Sequence, residues 1–113
     1  MDTKTMVKGI LWLVLLTTIP FSLQAKGNAL AGKEKASACE ACHGITGEST
    51  DPDFPNLAGQ HASYLAQALS DYRSGARVNP IMSGMVSVLS NQDILDLAAW
   101  YASQDGLQDL SIK

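Results

Sequence analysis

The chain has 113 residues, a formal net charge of −3 and a sequence pI near 5.1. This length allows one domain, and the acidic balance excludes the basic surface that nucleic-acid binding requires. A domain this small usually needs a disulfide, a metal or a cofactor to stabilise its core, and the chain has only two cysteines.

The first segment, residues 1–25, has the three-part pattern of a cleaved secretory signal peptide. Two lysines precede an apolar run from Ile10 to Phe21, and the small residue Ala25 follows it. An uncleaved membrane anchor is the alternative, but the run is shorter than the roughly 17 residues that span a bilayer, and a proline interrupts it. We therefore predict export, with one domain over residues 26–113.

The first helix of that domain is predicted from Asn28 onward, in the stretch NALAGKEKASAC. Asn28 is a favoured N-cap residue, and the small residues Ala29, Gly32 and Ala36 recur on one helical face. A helix face made of small side chains predicts that another helix approaches it closely.

The stretch ACEACHGITG, residues 38–47, contains both cysteines of the chain, Cys39 and Cys42, followed at once by His43. The two thiols are too close in sequence to form a crosslink that closes a long loop. They must therefore take part in chemistry or hold another group. The spacing C-x-x-C-H is typical of c-type haem attachment, in which two thiols bind the porphyrin and the adjacent imidazole faces the iron.

Two other interpretations stay open from the residues alone. A thioredoxin-like thiol pair also uses C-x-x-C, but it lies between a strand and a helix, and no strand pattern occurs in residues 26–113. A structural zinc site would take Cys39, Cys42, His43 and His61 as ligands, although a histidine directly after a cysteine lacks the usual spacing. Haem attachment is the interpretation that we favour.

A long loop and a second helix are predicted next. Residues 44–60 contain three glycines and two prolines without any period, which indicates a loop. Apolar residues then recur at helical spacing from His61 to Ser74, and Gly75 suits the position just past the helix end. Another irregular stretch follows this helix.

A third helix is predicted to start at a capping box formed by Ser90 and Asp93 and to run to about Gln104. Its apolar face leaves Trp100 to one side, so the helix can pack on two sides. That face comprises Ile94, Leu97, Ala98 and Tyr101. An ordinary domain of this size with only three helices would rarely have two loops this long. A buried planar cofactor would explain them, because the loops can pack against it.

Four motifs occur in order along residues 28–106: ACEACHGITG, FPNLAGQHASYL, YRSGARVNPIMSGMV and LSNQDILDLAAWYASQ. Together they resemble the small bacterial class I cytochromes c, in particular one domain of the two-haem periplasmic cytochromes. The resemblance implies an all-α class I cytochrome c fold, with three main helices and long loops around a single haem c. It also implies that the haem is attached covalently through Cys39 and Cys42.

The resemblance further implies the residues that hold the iron. His43 would be the proximal ligand, and the carbonyl of Pro55 would accept a hydrogen bond from its ring. Met82 would be the distal ligand. Met85 lies three positions on and could serve by its chemistry alone, but the motif makes it a packing residue near the haem.

The role of Trp100 follows from the same resemblance, and those of the arginines and His61 follow from the chemistry and position of these residues. Trp100 would pack against the first helix at Gly32. Arg77, or else Arg73, is the candidate to pair with a haem propionate, since a guanidinium matches a carboxylate in two contacts. His61 is expected to face solvent.

The function implied is that of an electron carrier rather than an enzyme. Iron held by an imidazole and a thioether has no open position for a substrate, so only its valence changes. We expect a periplasmic protein that passes single electrons between redox partners, such as a membrane oxidoreductase, a terminal oxidase, or a periplasmic dehydrogenase or reductase. The alternative is a haem-based sensor or small-ligand-binding protein with a labile sixth position.

Overall fold

The computed structural model describes residues 25–107, so all but the last residue of the predicted signal peptide lies outside the described residues. Within that range the chain forms five α-helices and no strand. They are α1 (Ala29–Lys35), α2 (Ser37–His43), α3 (Ala62–Ser74), α4 (Pro80–Val86) and α5 (Asn91–Ala102). The all-α class is confirmed. No helix in this range combines the length and apolar character needed to cross a membrane.

The three predicted helices are all present, and they account for four of the five helices in the described residues. The first predicted helix is divided at Ala36, which is fully buried and separates α1 from α2. A further helix, α4, lies in the stretch that was predicted to be irregular. The third predicted helix, α5, ends at Ala102, shortly before the expected Gln104.

The predicted caps are present. The Asn28 side chain accepts hydrogen bonds from two backbone N–H groups of α1. At the start of α5, the Asp93 N–H donates to Ser90 Oγ at 3.0 Å and the Ser90 N–H donates to Asp93 Oδ2 at 2.8 Å. Gly75 ends α3 with a φ of 83°, a left-handed value that glycine adopts without strain.

The core forms where α5 packs against α1 on one side and α3 on the other. The whole apolar face predicted for α5 is buried. A cluster of buried side chains joins this face to α3 and to the break between α1 and α2. It consists of Ala36, Leu65, Leu97, Ala98 and Tyr101.

The crossing of α1 and α5 depends on Gly32. A Cβ at this position would overlap the Asp96 carbonyl oxygen and lie 2.9 Å from Trp100 Cβ. Glycine therefore lets the two backbones meet, and Trp100 packs at Gly32 as the resemblance implied.

A buried carboxylate connects the same two helices. Asp96 is 3% exposed and accepts from the Asn28 N–H at 2.8 Å, from Lys35 Nζ at 2.7 Å and from Gln92 Nε2 at 2.8 Å. Lys35 also pairs with Asp93 at 2.8 Å. The hydrogen bond from Lys35 is the largest cause that lowers the pKa of Asp96 to about 2.

Candidate haem-binding site

The two cysteines and the adjacent histidine lie on α2. Cys39 and Cys42 are three positions apart on a helix, so their thiols lie on one face. Both are partly buried and neither is in a disulfide. Burial raises the pKa of the Cys39 thiol, which keeps it protonated at neutral pH. Gly44 ends the helix with a φ of 83°, and the chain turns there directly after His43.

The His43 ring is buried and held in one orientation. Nδ1 lies 2.8 Å from the carbonyl oxygen of Pro55. Because a carbonyl can only accept, Nδ1 carries the proton and donates, and Nε2 keeps its lone pair. The Phe54 ring approaches His43 edge-on, with the ring centroids 6.3 Å apart. This orientation and tautomer are those that a metal-ligating imidazole requires.

The loop that carries Pro55 is closed by its own hydrogen bonds. The Leu57 N–H donates to the Gly47 carbonyl at 2.7 Å. The Ser49 N–H donates to Asn56 Oδ1, also at 2.7 Å. These bonds fix the backbone on both sides of Pro55, so the loop presents the carbonyl to His43 although the Pro55 side chain is exposed.

Helix α4 positions the two candidate methionines. The Asn79 side chain accepts hydrogen bonds from the N–H groups of Ile81 and Met82, both at 3.0 Å, and Pro80 occupies the first turn, where it is favoured. Met82 is partly buried, whereas Met85 is 42% exposed. The ligand role of Met82 stays a prediction.

Large apolar side chains are exposed on α3, on α4 and in the chain on either side of α4. They are Tyr64, Val78, Ile81, Met85 and Val88. Where such side chains form a continuous exposed patch, the patch usually marks a site that binds a ligand or a partner. A haem held by Cys39, Cys42 and His43 would need apolar side chains to exclude water from its faces, and side chains of this kind would supply them. The donor set and the apolar segment therefore fit a haem.

The two arginines differ in their contacts. Arg73 donates to the Leu89 carbonyl at 2.8 Å and to Asn91 Oδ1 at 2.5 Å, which ties α3 to the start of α5. The Arg77 guanidinium is exposed and lies 4.7 Å from the centroid of the Tyr72 ring. Within residues 25–107, no carboxylate lies at ion-pair distance from Arg77. Arg77 thus stays the candidate partner of a propionate.

The alternatives that used the same cysteines find no support in the described residues. No group of three or more His, Cys, Asp or Glu side chains is placed to hold a metal ion there. The zinc set with His61 is therefore not assembled, and His61 is exposed at the start of α3. A thioredoxin-like pair needs a strand before it, and residues 25–107 form none.

Comparison with known protein families gives a match over most of the chain. A family model described as "Cytochrome c" matches residues 24–105. The chain belongs to the cytochrome c family. Members of this family carry covalently bound haem c, and Cys39 and Cys42 have the spacing for that attachment.

Comparison with individual relatives supports the same family assignment. Cytochrome c4 of Pseudomonas aeruginosa is 42% identical over 99 residues, which is 88% of this chain and 49% of that protein. Cytochrome c-554(548) of Halomonas halodenitrificans is 44% identical over 82 residues, or 70% of this chain and 99% of that protein. The crystal structure of reduced recombinant cytochrome c4 from Pseudomonas stutzeri matches with a TM-score of 0.69 at 42% identity. That match covers 72% of this chain and 47% of that one, so this cytochrome spans about half the length of its c4 relatives.

Two residues at the site were missed by the sequence reasoning. Phe54 lies beside the His43 ring, and Cys39 packs against the core cluster that contains Tyr101, although Tyr101 was predicted only as a core residue. The sequence carries no signal for either contact, because each partner is brought in by the fold.

Proposed function

We propose that the protein is an exported one-electron carrier of the periplasm, with one haem c ligated by His43 and Met82. The observation that carries the proposal is the His43 ring. Its Nδ1 is held by the Pro55 carbonyl at 2.8 Å, so Nε2 is available to iron directly beside the two cysteines. When bound, the haem supplies a reversible change of iron valence.

Each residue has a distinct part in this proposal. Cys39 and Cys42 anchor the porphyrin edge, and Pro55 fixes the orientation and tautomer of His43. Met82 gives a thioether ligand, which favours ferrous iron and raises the potential. Arg77 pairs with a propionate and so offsets its charge.

This ligand set favours a carrier over a catalyst or a sensor. Two protein ligands on the iron leave no position for a substrate or a gas, so binding of small molecules is suppressed. Transient redox partners use small interfaces, and those apolar side chains of this segment that the haem leaves exposed would provide such a surface. The partners we propose are membrane oxidoreductases, terminal oxidases, and periplasmic dehydrogenases or reductases.

The first experiment is the visible absorption spectrum of the protein isolated from the periplasm. Sharp bands in the reduced state that stay with the polypeptide on acid-acetone extraction are expected for covalent haem. A colourless protein, or a haem that is extracted, would contradict the attachment to Cys39 and Cys42.

The second experiment identifies the distal ligand with a matched pair of substitutions. Met82→Leu should abolish the weak near-infrared band of sulfur bound to ferric haem and open the ferrous site to carbon monoxide. Met85→Leu should keep the band, because the swap conserves volume.

Other outcomes reassign the ligand or the function. Loss of the band only in Met85→Leu would transfer the ligand role to Met85. A wild-type protein that lacks the band and binds carbon monoxide would support the haem-based sensor instead.

A further inference from the structure

The Tyr101 hydroxyl is a buried donor without a hydrogen-bond partner among residues 25–107. Tyr101 lies on the core face of α5 with 3% of its surface exposed, and its oxygen makes no hydrogen bond to any residue of that range. Buried polar groups are almost always paired, so an unpaired one calls for an explanation. A phenylalanine would fill the same space in the core without this cost.

The ring is held so tightly that the hydroxyl cannot turn away to another partner. A Cβ at Gly47 would lie 2.8 Å from Tyr101 Cδ1, so the loop backbone packs directly on the ring. On the other side the ring belongs to the core cluster that includes Leu65 and Leu97. The Tyr101 carbonyl also accepts from the Gly59 N–H at 2.9 Å. The hydroxyl direction is therefore set by the fold.

The Cys39 side chain packs against the same core cluster to which the Tyr101 ring belongs, which makes its sulfur the candidate partner of this hydroxyl. Burial raises the pKa of Tyr101, and the neighbouring Cys39 raises it further. The phenol thus stays protonated and able to donate, although the present contact falls short of hydrogen-bond geometry.

Attachment of the haem would change what the sulfur can do. A thiol has a proton of its own, whereas a thioether sulfur has only lone pairs and can only accept. In a hydrogen bond between the two groups, the Tyr101 hydroxyl must then be the donor and the Cys39 sulfur the acceptor.

We propose that Tyr101 is a positioning residue for the haem, whose hydroxyl donates a hydrogen bond to the thioether sulfur of Cys39. The proposal rests on the proposed attachment of haem at Cys39. The bond holds the sulfur against the core at one edge of the porphyrin and draws electron density from it. It therefore favours the electron-rich ferrous state, through hydrogen bonding around the cofactor rather than through an iron ligand.

The test compares the reduction potential of the haem-loaded wild type with that of Tyr101→Phe, which removes only the oxygen. The ferric-to-ferrous equilibrium should shift toward ferric by at most about two- to threefold, because a thioether is a weak acceptor and only the difference in bond strength between the two oxidation states changes the potential. Ser103→Ala, which removes an exposed hydroxyl just past the end of α5, is the control and should leave the equilibrium unchanged.

The same substitution made in a Cys39→Ala variant tests whether the Cys39 sulfur is the acceptor. In Cys39→Ala, where the haem is held by Cys42 alone, the same Tyr101→Phe change should no longer alter the potential. A shift of equal size in that background would overturn the proposal. So would an unchanged potential in Tyr101→Phe on the wild-type background, above all if the variant resists denaturant better than wild type.

A direct measurement on the wild type covers the case in which the variant does not fold. In the diamagnetic ferrous protein, the Tyr101 hydroxyl proton should exchange slowly and give a nuclear Overhauser effect to the Cys39 β protons. Absence of that signal would refute the hydrogen bond. Absence of covalent haem in the wild-type spectrum would instead refute the proposed function, so the two failures are distinguishable.

Discussion

Substitution of Gly32 by alanine tests the packing that holds α1 and α5 together. The added Cβ would overlap the Asp96 carbonyl oxygen and lie 2.9 Å from Trp100 Cβ. Neither atom is the flexible end of a side chain, so the strain cannot be relieved by a rotamer change. The helices must move apart instead.

The expected loss of stability follows from two opposing effects. Alanine in place of glycine favours a helix by about 1 kcal/mol. Overpacking of a tight contact costs about 1 to 3 kcal/mol and more where backbone opposes backbone. The second effect is larger, because movement of α1 also lengthens the hydrogen bonds that Asp96 accepts from Asn28 and Lys35. We expect a net loss of about 1 to 2 kcal/mol in the free energy of unfolding.

The assay is denaturant unfolding of the haem-loaded protein, followed by far-ultraviolet circular dichroism. Glu34→Ala is the matched control, because it places the same residue at an exposed position of the same helix, where surface substitutions usually stay within about 0.5 kcal/mol of wild type. If Gly32→Ala were as stable as wild type, or more so, the close approach of α1 and α5 would be wrong.

Three further predictions concern the acidic pair of α5, its cap and the loop that orients His43. The pKa values of Asp93 and Asp96 are lowered to about 2, first by hydrogen bonds from Lys35. The stability from this pairing should therefore be complete above about pH 4 and be lost as the pH falls toward 2, and a urea midpoint that stays flat over this range would contradict it. Ser90→Ala removes the cap of α5 and should cost about 1 kcal/mol in urea unfolding, with Ser103→Ala at the other end of α5 as the control. Pro55→Ala keeps the carbonyl, so we expect a loss of about 0.4 to 1 kcal/mol and an unchanged visible spectrum, whereas loss of methionine ligation would give Pro55 a larger role.

Local signals in the sequence were enough to predict the helix starts that are capped by side chains. The capping box of Ser90 and Asp93 and the cap at Asn28 are both present, because each needs only residues within one turn. A similar signal was available for α4, since Asn79 before Pro80 is a favoured helix start. It was missed because α4 has only seven residues, too few for a helical period to be recognised.

The break between α1 and α2 could not be predicted from local sequence. Ala36 is a good helix former, yet it ends α1 because the core closes around it and leaves it fully buried. The same holds for Asp96, whose partner Lys35 is 61 positions away in sequence. At the site, the C-x-x-C-H spacing predicted the haem, but no sequence pattern indicated that Cys39 packs against the core cluster that contains Tyr101.

The bond between the Asn28 N–H and Asp96 also bears on the order in which the molecule assembles. It joins positions 68 residues apart, and closing a flexible loop of that length costs about 4 kcal/mol in chain entropy. Long-range pairing of this kind slows folding. Because α5 lies so much later in the chain than α1, the contact between them cannot form until the intervening residues have been made and brought together. The α1–α5 pairing is therefore expected to be a late step of folding, measurable as slow recovery of the Asp96 hydrogen bonds in refolding experiments.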